Sequence, residues 1–395
     1  MKNLISLCFI YLVSSCVVPN QTYNPGSSEF RAVNKSFETY SKAKEINKKH
    51  QVLVAIIDSG VDYKHPYLKN HLHYNLAELK SKFDKKDNDK NDFKDDFLGY
   101  DFTGLDGLPY YALLGESGDR ELYLEQNAGG THGTHVAGIV ANRDERIGII
   151  PFRIIPLADN AETKLNTARN PSIQSAKVIA QYIRDSIYLA KNQGARVANL
   201  SLGVMPDDKS LTQAQVKTTF QKLRKYIASA ASDMVIVTAA GNESKDISTG
   251  SIIQPCQLRT RNVLCIGSVN NKGIISSFSN FGIQHVDIYA PGEEVISSIP
   301  MTHAEDPTVP FAAMSGTSMA SPYVAHVVAR MLIEAPCLSS EKVVSILMKT
   351  AFSRTVKLSR GEVPQNVGNS NSSIYKYKIV NKKKAIASAK NISCR

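Results

Sequence analysis

Six consecutive apolar residues, Val52 to Ile57, constrain this chain more than any other feature. Half-buried strands alternate apolar and polar residues, so an unbroken apolar run of this length, rich in β-branched residues, fits a strand covered on both faces, as in a parallel sheet. Val197 to Leu202 and Met234 to Ala239 have the same character. Between the first two runs, Ile179, Ile183, Ile187 and Ala190 recur at helical spacing within Ile173 to Asn192, and Gly194 follows as a stop. A second helix is expected over Leu211 to Ala230. Strands separated by helices predict an α/β fold with a mostly parallel central sheet and a crevice at the carboxyl ends of its strands.

Three motifs fall where such a crevice needs them. Asp58 closes the first apolar run, and His132 lies in His132-Gly133-Thr134-His135-Val136-Ala137-Gly138. Ser318 follows Gly316-Thr317 and precedes Met319-Ala320-Ser321-Pro322, which opens an apolar helix. Serine is a weak nucleophile unless a base takes its proton and an acid orients that base. No two of the three residues are neighbours in sequence, so only a fold can assemble them.

In motif and in the order Asp, His, Ser, the chain resembles the subtilisin-like serine peptidases. The resemblance implies a three-layer α/β sandwich and endopeptidase activity through an acyl-enzyme on Ser318. His132 would be the general base and acid, and Asp58 would orient it. Asn242, in Ala239-Ala240-Gly241-Asn242-Glu243, would donate to the oxyanion beside the Ser318 N–H. Ser201, Leu202 and Gly203 would form the strand edge that pairs with an extended substrate and lines its P1 pocket. The chemistry requires no cofactor, and the substrates would be proteins or peptides. Residues 339–347 and 379–387 resemble the family's closing elements, so one peptidase domain is expected over residues 49–395. Met319, beside the nucleophile, is expected to be open to oxidation.

Other chemistries fit less well. An α/β-hydrolase esterase needs Gly-x-Ser-x-Gly, with serine ahead of the acid and the histidine. His132 and His135 lack the glutamate of His-Glu-x-x-His, since Gly133 and Thr134 fill the gap. The alternative from another class is a catalytically idle lipoprotein that uses the groove only to hold peptides. For metal, Asp87, Asp89, Asn91 and Asp95 lie in an acidic run suited to a structural Ca²⁺, although it lacks an EF-hand's turn glycine and its final bidentate acid.

The N-terminus reads as a targeting segment. Lys2 precedes the apolar run Leu4 to Val13, too short to span a bilayer, and Val13-Ser14-Ser15-Cys16 resembles a lipoprotein cleavage box. Residues 1–15 are thus expected to be a signal peptide, and Cys16 a lipidated residue that holds the protein to the bacterial envelope. Residues 16–48 would be a polar tether, too short and polar for a folded inhibitory propeptide. Export permits disulfides, and Cys256, Cys265, Cys337 and Cys394 remain. Four cysteines allow three pairings; Cys256–Cys265 with Cys337–Cys394 is the expected one. Gly104 to Ala128 reads as a loop between the aspartate and histidine motifs. The net charge of +11 comes from lysines scattered over stretches such as Lys42–Lys49 and Lys382–Lys384 without aromatic interleaving, so no nucleic-acid partner is expected.

Overall fold

The computed structural model describes residues 38–81, 83–107, 128–155, 173–205, 212–248, 252–357 and 374–394. Cys16, the expected signal peptide and most of the Gly104–Ala128 loop lie outside them.

Strand β1 (Val52–Asp58) is an interior strand, third from one edge, of a nine-stranded sheet. It is flanked by β3 (Ile147–Arg153) and β4 (Val197–Leu200), and β2 (Tyr100–Asp101) lies beyond β3. On the other side, β5 (Val235–Ala239), β6 (Val263–Val269) and β7 (Ile288–Pro291) follow β4 in order. These strands are all parallel. The last hairpin closes that edge: β11 (Ile374–Ile379) adds parallel to β7, and β10 (Phe352–Lys357) pairs antiparallel outside it. A separate antiparallel pair joins β8 (Val295–Ser298) to β9 (Phe311–Met314).

The unbroken apolar run in β1 is explained by two-sided burial. Val54 and Ile56 join the core beneath α3 (Ala128–Ala141) and α6 (Thr317–Glu334). Ala55 and Ile57 face the opposite core, with α4 (Ile173–Asn192) and α5 (Gln213–Ser229). Helices α7 (Ser340–Thr350) and α8 (Lys382–Lys390) extend the α6 layer through Val343, Leu347, Ala385 and Ala389. Ser339 caps α7 by accepting the Lys342 N–H, and Thr212 forms a capping box with Gln215 at the start of α5.

Helix α1 (Tyr40–Lys49), within the stretch expected as tether, packs onto the body. Ala43 and Ile46 are buried against Tyr74, Leu79 and Phe97 beside the short helix α2 (Leu76–Leu79), and Asn47 exchanges two hydrogen bonds with the Tyr74 backbone. Its lysines hide a two-residue apolar stripe, which is why composition alone suggests a linker. The disulfides Cys256–Cys265 and Cys337–Cys394 both form, with Cα atoms 4.8 and 5.5 Å apart. The second ties the end of α8 to the turn after α6.

Candidate active site

Strand order reverses between β1 and β4, because the chain runs outward to β3 and then returns to β4 and β5. Open parallel sheets leave a crevice at the carboxyl ends there. Asp58 is the last residue of β1, Ser201 follows β4, and Asn242 lies three residues past β5.

Helix α3 carries His132 into this crevice. Its close approach depends on Gly133, where a Cβ would stand 2.2 Å from the Gly60 carbonyl oxygen. With that contact open, His132 Nδ1 meets Asp58 Oδ1 at 2.8 Å, and both side chains are buried. Asp58 Oδ1 also accepts the Ser59 N–H at 2.8 Å. Burial pulls the imidazole pKa down, but the charge and hydrogen bond of Asp58 outweigh it, so His132 titrates above an ordinary histidine. His135 does not share the site: its Nε2 lies 3.0 Å from the Ala312 carbonyl, under the β8–β9 hairpin.

Ser318 is the second residue of α6, where backbone N–H groups have no intrahelical acceptor. The N-cap residue, Gly316, has no side chain to cap the helix, and Asn242 does so from a distance. Its Oδ1 accepts the Thr317 N–H at 2.8 Å and the Thr317 hydroxyl at 2.9 Å, and the Gly241 N–H donates to that hydroxyl at 3.1 Å. With its carbonyl so held, the amide nitrogen of Asn242 faces the space over Gly316. A Cβ on Gly316 would lie 3.4 Å from Asn242 Nδ2 and 3.6 Å from the Ser318 nitrogen. The missing side chain therefore leaves a small pocket into which two donors converge. The Ser318 hydroxyl donates to the Ser201 carbonyl at 3.2 Å.

The Ser201 side chain is buried beneath α6, bonded to the Ser318 carbonyl and to Ser321, so this residue presents main chain to the cleft. Leu202 and Gly203 lead from it to Val204, which pairs with Gln254. Together with Met205 and Ile253 they line a pocket that opens at Ser318. Glu243 lines it too, with Oε2 accepting from Asn280 and Oε1 buried without a partner; burial raises its pKa. Thr317, Glu243 and Ile253 are missing from the sequence-based set. The first two sit inside the quoted motifs, whereas Ile253 comes from a stretch with no motif. Met319, expected to be open to oxidant, is covered, with 2% of its surface exposed.

The acidic loop is only partly as expected. Asp87 and Asp89 converge with Glu78 of α2, their oxygens within 4.8 Å of one another. Asn91 donates to Asp89 and Asp96. Asp95 turns away: its backbone is left-handed (φ 55°) and its Oδ2 accepts the Lys85 N–H. Burial first, then the charges of Asp89 and Glu78, push Asp96 up to about 7.

An α/β sheet with a buried Asp–His pair and a serine at a helix N-terminus beside one crevice is the layout of serine peptidases with an α/β fold. A model described as the Subtilase family matches residues 49–373, and the chain belongs to that family. It is 29% identical over 319 residues to a thermophilic serine proteinase of Bacillus sp. (strain AK1), a match covering 81% of this chain and 61% of that protein. To Subtilisin Savinase of Lederbergia lenta it is 33% identical over 226 residues, covering 57% of this chain and 71% of the other. Among solved structures, a lanthipeptide protease superposes with a TM-score of 0.56 at 21% identity, over 88% of this chain and 92% of that one, a likeness of fold.

Proposed function

We propose that the chain is a serine endopeptidase that cleaves proteins through an acyl-enzyme on Ser318. The observation that carries this reading is the buried 2.8 Å Asp58–His132 pair facing the crevice that holds Ser318. For reaction the Ser318 hydroxyl must leave the Ser201 carbonyl and turn to the imidazole. His132 Nε2 then accepts the proton as Oγ attacks the scissile carbonyl carbon. Negative charge develops on the carbonyl oxygen, which the Ser318 N–H and Asn242 Nδ2 receive over Gly316. The imidazolium, stabilised by Asp58, returns its proton to the leaving amine, and water repeats the sequence to release the acyl group. Leu202 and Gly203 pair with the substrate main chain while the pocket beyond takes the P1 side chain.

Asn242→Ala should lower kcat by about 10²–10³, the cost of the same loss in subtilisin, with KM little changed. A rise in KM with kcat unchanged would instead make Asn242 a group that binds ground state and transition state alike. Incubating casein with the purified full chain tests the reading against the idle peptide-binding lipoprotein. New fragments support the peptidase, whereas casein retained uncut supports the binding protein.

The protein is read as exported and held by acyl chains on Cys16; fatty-acid labelling that disappears in Cys16→Ser tests this. Glu78, Asp87 and Asp89 present a carboxylate-only set that fits a hard cation, and Ca²⁺ there would offset the charges of Asp89 and Glu78 that add to burial in raising Asp96. Millimolar Ca²⁺ should raise Tm by several degrees over EDTA, and Glu78→Gln should remove the difference. An unchanged Tm in both would remove calcium from the account.

A further inference from the structure

Of the 47 basic and 36 acidic residues in the chain, 12 and 1 fall in residues 342–395, which leaves 35 of each in residues 1–341. The whole net charge of +11 thus belongs to the last 54 residues. Their described part forms the β10–β11 hairpin, which closes one edge of the sheet, and helices α7 and α8, which pack on each other. From Lys342 onward, no described lysine or arginine with a placed side chain forms an ion pair. The two acids that immediately precede the segment, Glu334 and Glu341, pair instead with Arg330 at 3.6 Å and Arg261 at 3.4 Å. Helix α8 opens with Lys382, Lys383 and Lys384 and has no acid in its first turn. Cations there oppose the helix dipole at a cost of about 0.3–1 kcal/mol each, so helix stability does not account for them.

We propose that this edge is a docking surface for an anionic phospholipid membrane. Two features favour lipid over a soluble polyanion. Phe352, at the start of β10, is 59% exposed, and its strand partner Ile379 stands three residues before Lys382. An exposed aromatic beside lysines suits the headgroup boundary of a bilayer. Lys376 and Lys378 also line a cleft with Arg259, Tyr377 and Met348, a shape able to receive a headgroup phosphate. Asp287, the carboxylate in that cleft, is already engaged: it accepts the Cys265 N–H and lies 4.0 Å from Arg259. The edge strand β10 is four places from β5 in the sheet, about 19 Å at ordinary strand spacing, so docking there leaves the crevice open.

The inference rests on the membrane-anchored reading for its choice of lipid, and its test is independent of the anchor. The full chain carrying Cys16→Ser and Ser318→Ala, which can neither be acylated there nor digest itself, is sedimented with two kinds of vesicle. One is phosphatidylcholine alone; the other contains about a third phosphatidylglycerol. Partition into the anionic vesicles should be at least about tenfold stronger, and should fall with added salt. Adding Lys376→Gln, Lys383→Gln, Lys384→Gln and Lys390→Gln should abolish that preference, while the four Lys→Arg replacements should keep it. Equal partition into both vesicles, or a preference undiminished in the Gln variant, overturns the proposal. So does equally tight, lysine-dependent retention on DNA or heparin at the same salt, which would reassign the edge to soluble polyanions. None of these failures touches the peptidase or the acylation of Cys16, which casein cleavage and fatty-acid labelling report separately.

Discussion

Ser318→Ala and His132→Ala are each expected to lower kcat by about 10⁶, the loss found for the corresponding groups of subtilisin, and the double variant should be hardly worse than either. The reason lies in the geometry. In the proposed mechanism Ser318 loses its proton only through His132, and His132 without Ser318 has no nucleophile to serve. Asp58→Asn should cost less, about 10⁴, because the imidazole remains but loses the partner that fixes its tautomer. The pH profile follows from the same pair. The base must be neutral, and Asp58 raises its pKa, so the acid limb of kcat/KM should lie above the usual histidine value of about 6.5. Single losses that multiply in the double variant would show that the two residues act separately.

The second large effect is on stability in acid. Of the nine histidines, eight have pKa values pulled below normal, burial being the first cause in each. His135 and His326, both fully buried, are pushed to about 4. His135 Nε2 faces the Ala312 carbonyl and His326 Nδ1 the Val140 carbonyl. These groups stay neutral in the folded chain, whereas the unfolded chain protonates them below about pH 6.5. Their stabilisation is therefore complete above that pH and drains as pH falls toward 4. At about 1.4 kcal/mol per pKa unit, these two alone amount to several kcal/mol, a large share of a typical total of 5–15 kcal/mol. Asp96, raised to about 7, acts in the opposite sense, since its protonation in acid favours the folded state. Asp62, Glu78, Asp89, Asp95, Glu243 and Asp287, all raised by burial, act as Asp96 does, and the eight histidines oppose them. The prediction is a steep fall in Tm between pH 6.5 and 5 that His326→Gln makes shallower. A Tm that stays level over that range would contradict it.

The parts of the fold legible in sequence are those that pattern alone can specify. The apolar runs of β1, β4 and β5 must be buried on both faces, and α4 carries its stripe over five turns. Strand β6 was harder to see, because Cys265, Gly267 and Ser268 break its apolar run; Gly267 is required there because a Cβ would press 2.3 Å from the Tyr289 ring. The motifs point to Asp58, His132 and Ser318, and the structure pairs the first two, but motifs say nothing of how the groups are held. That Thr317 grips the Asn242 carbonyl depends on β5 and α6 arriving side by side. The acidic loop is legible only in part, for a related reason: spacing picks out Asp95, which lies outside the cluster that Asp87 and Asp89 form with Glu78 from a separate helix. Likewise the C-terminal lysines look scattered along the chain, and only the packing of α7, β10–β11 and α8 makes them one edge.

The most direct test of the central claim is labelling of the purified full chain with a fluorophosphonate probe, followed by mapping of the modified peptide. The account predicts one adduct, on Ser318, lost in Ser318→Ala and strongly slowed in His132→Ala. A folded chain that takes no label, or takes it on another serine, would contradict the assignment of Ser318 as the nucleophile.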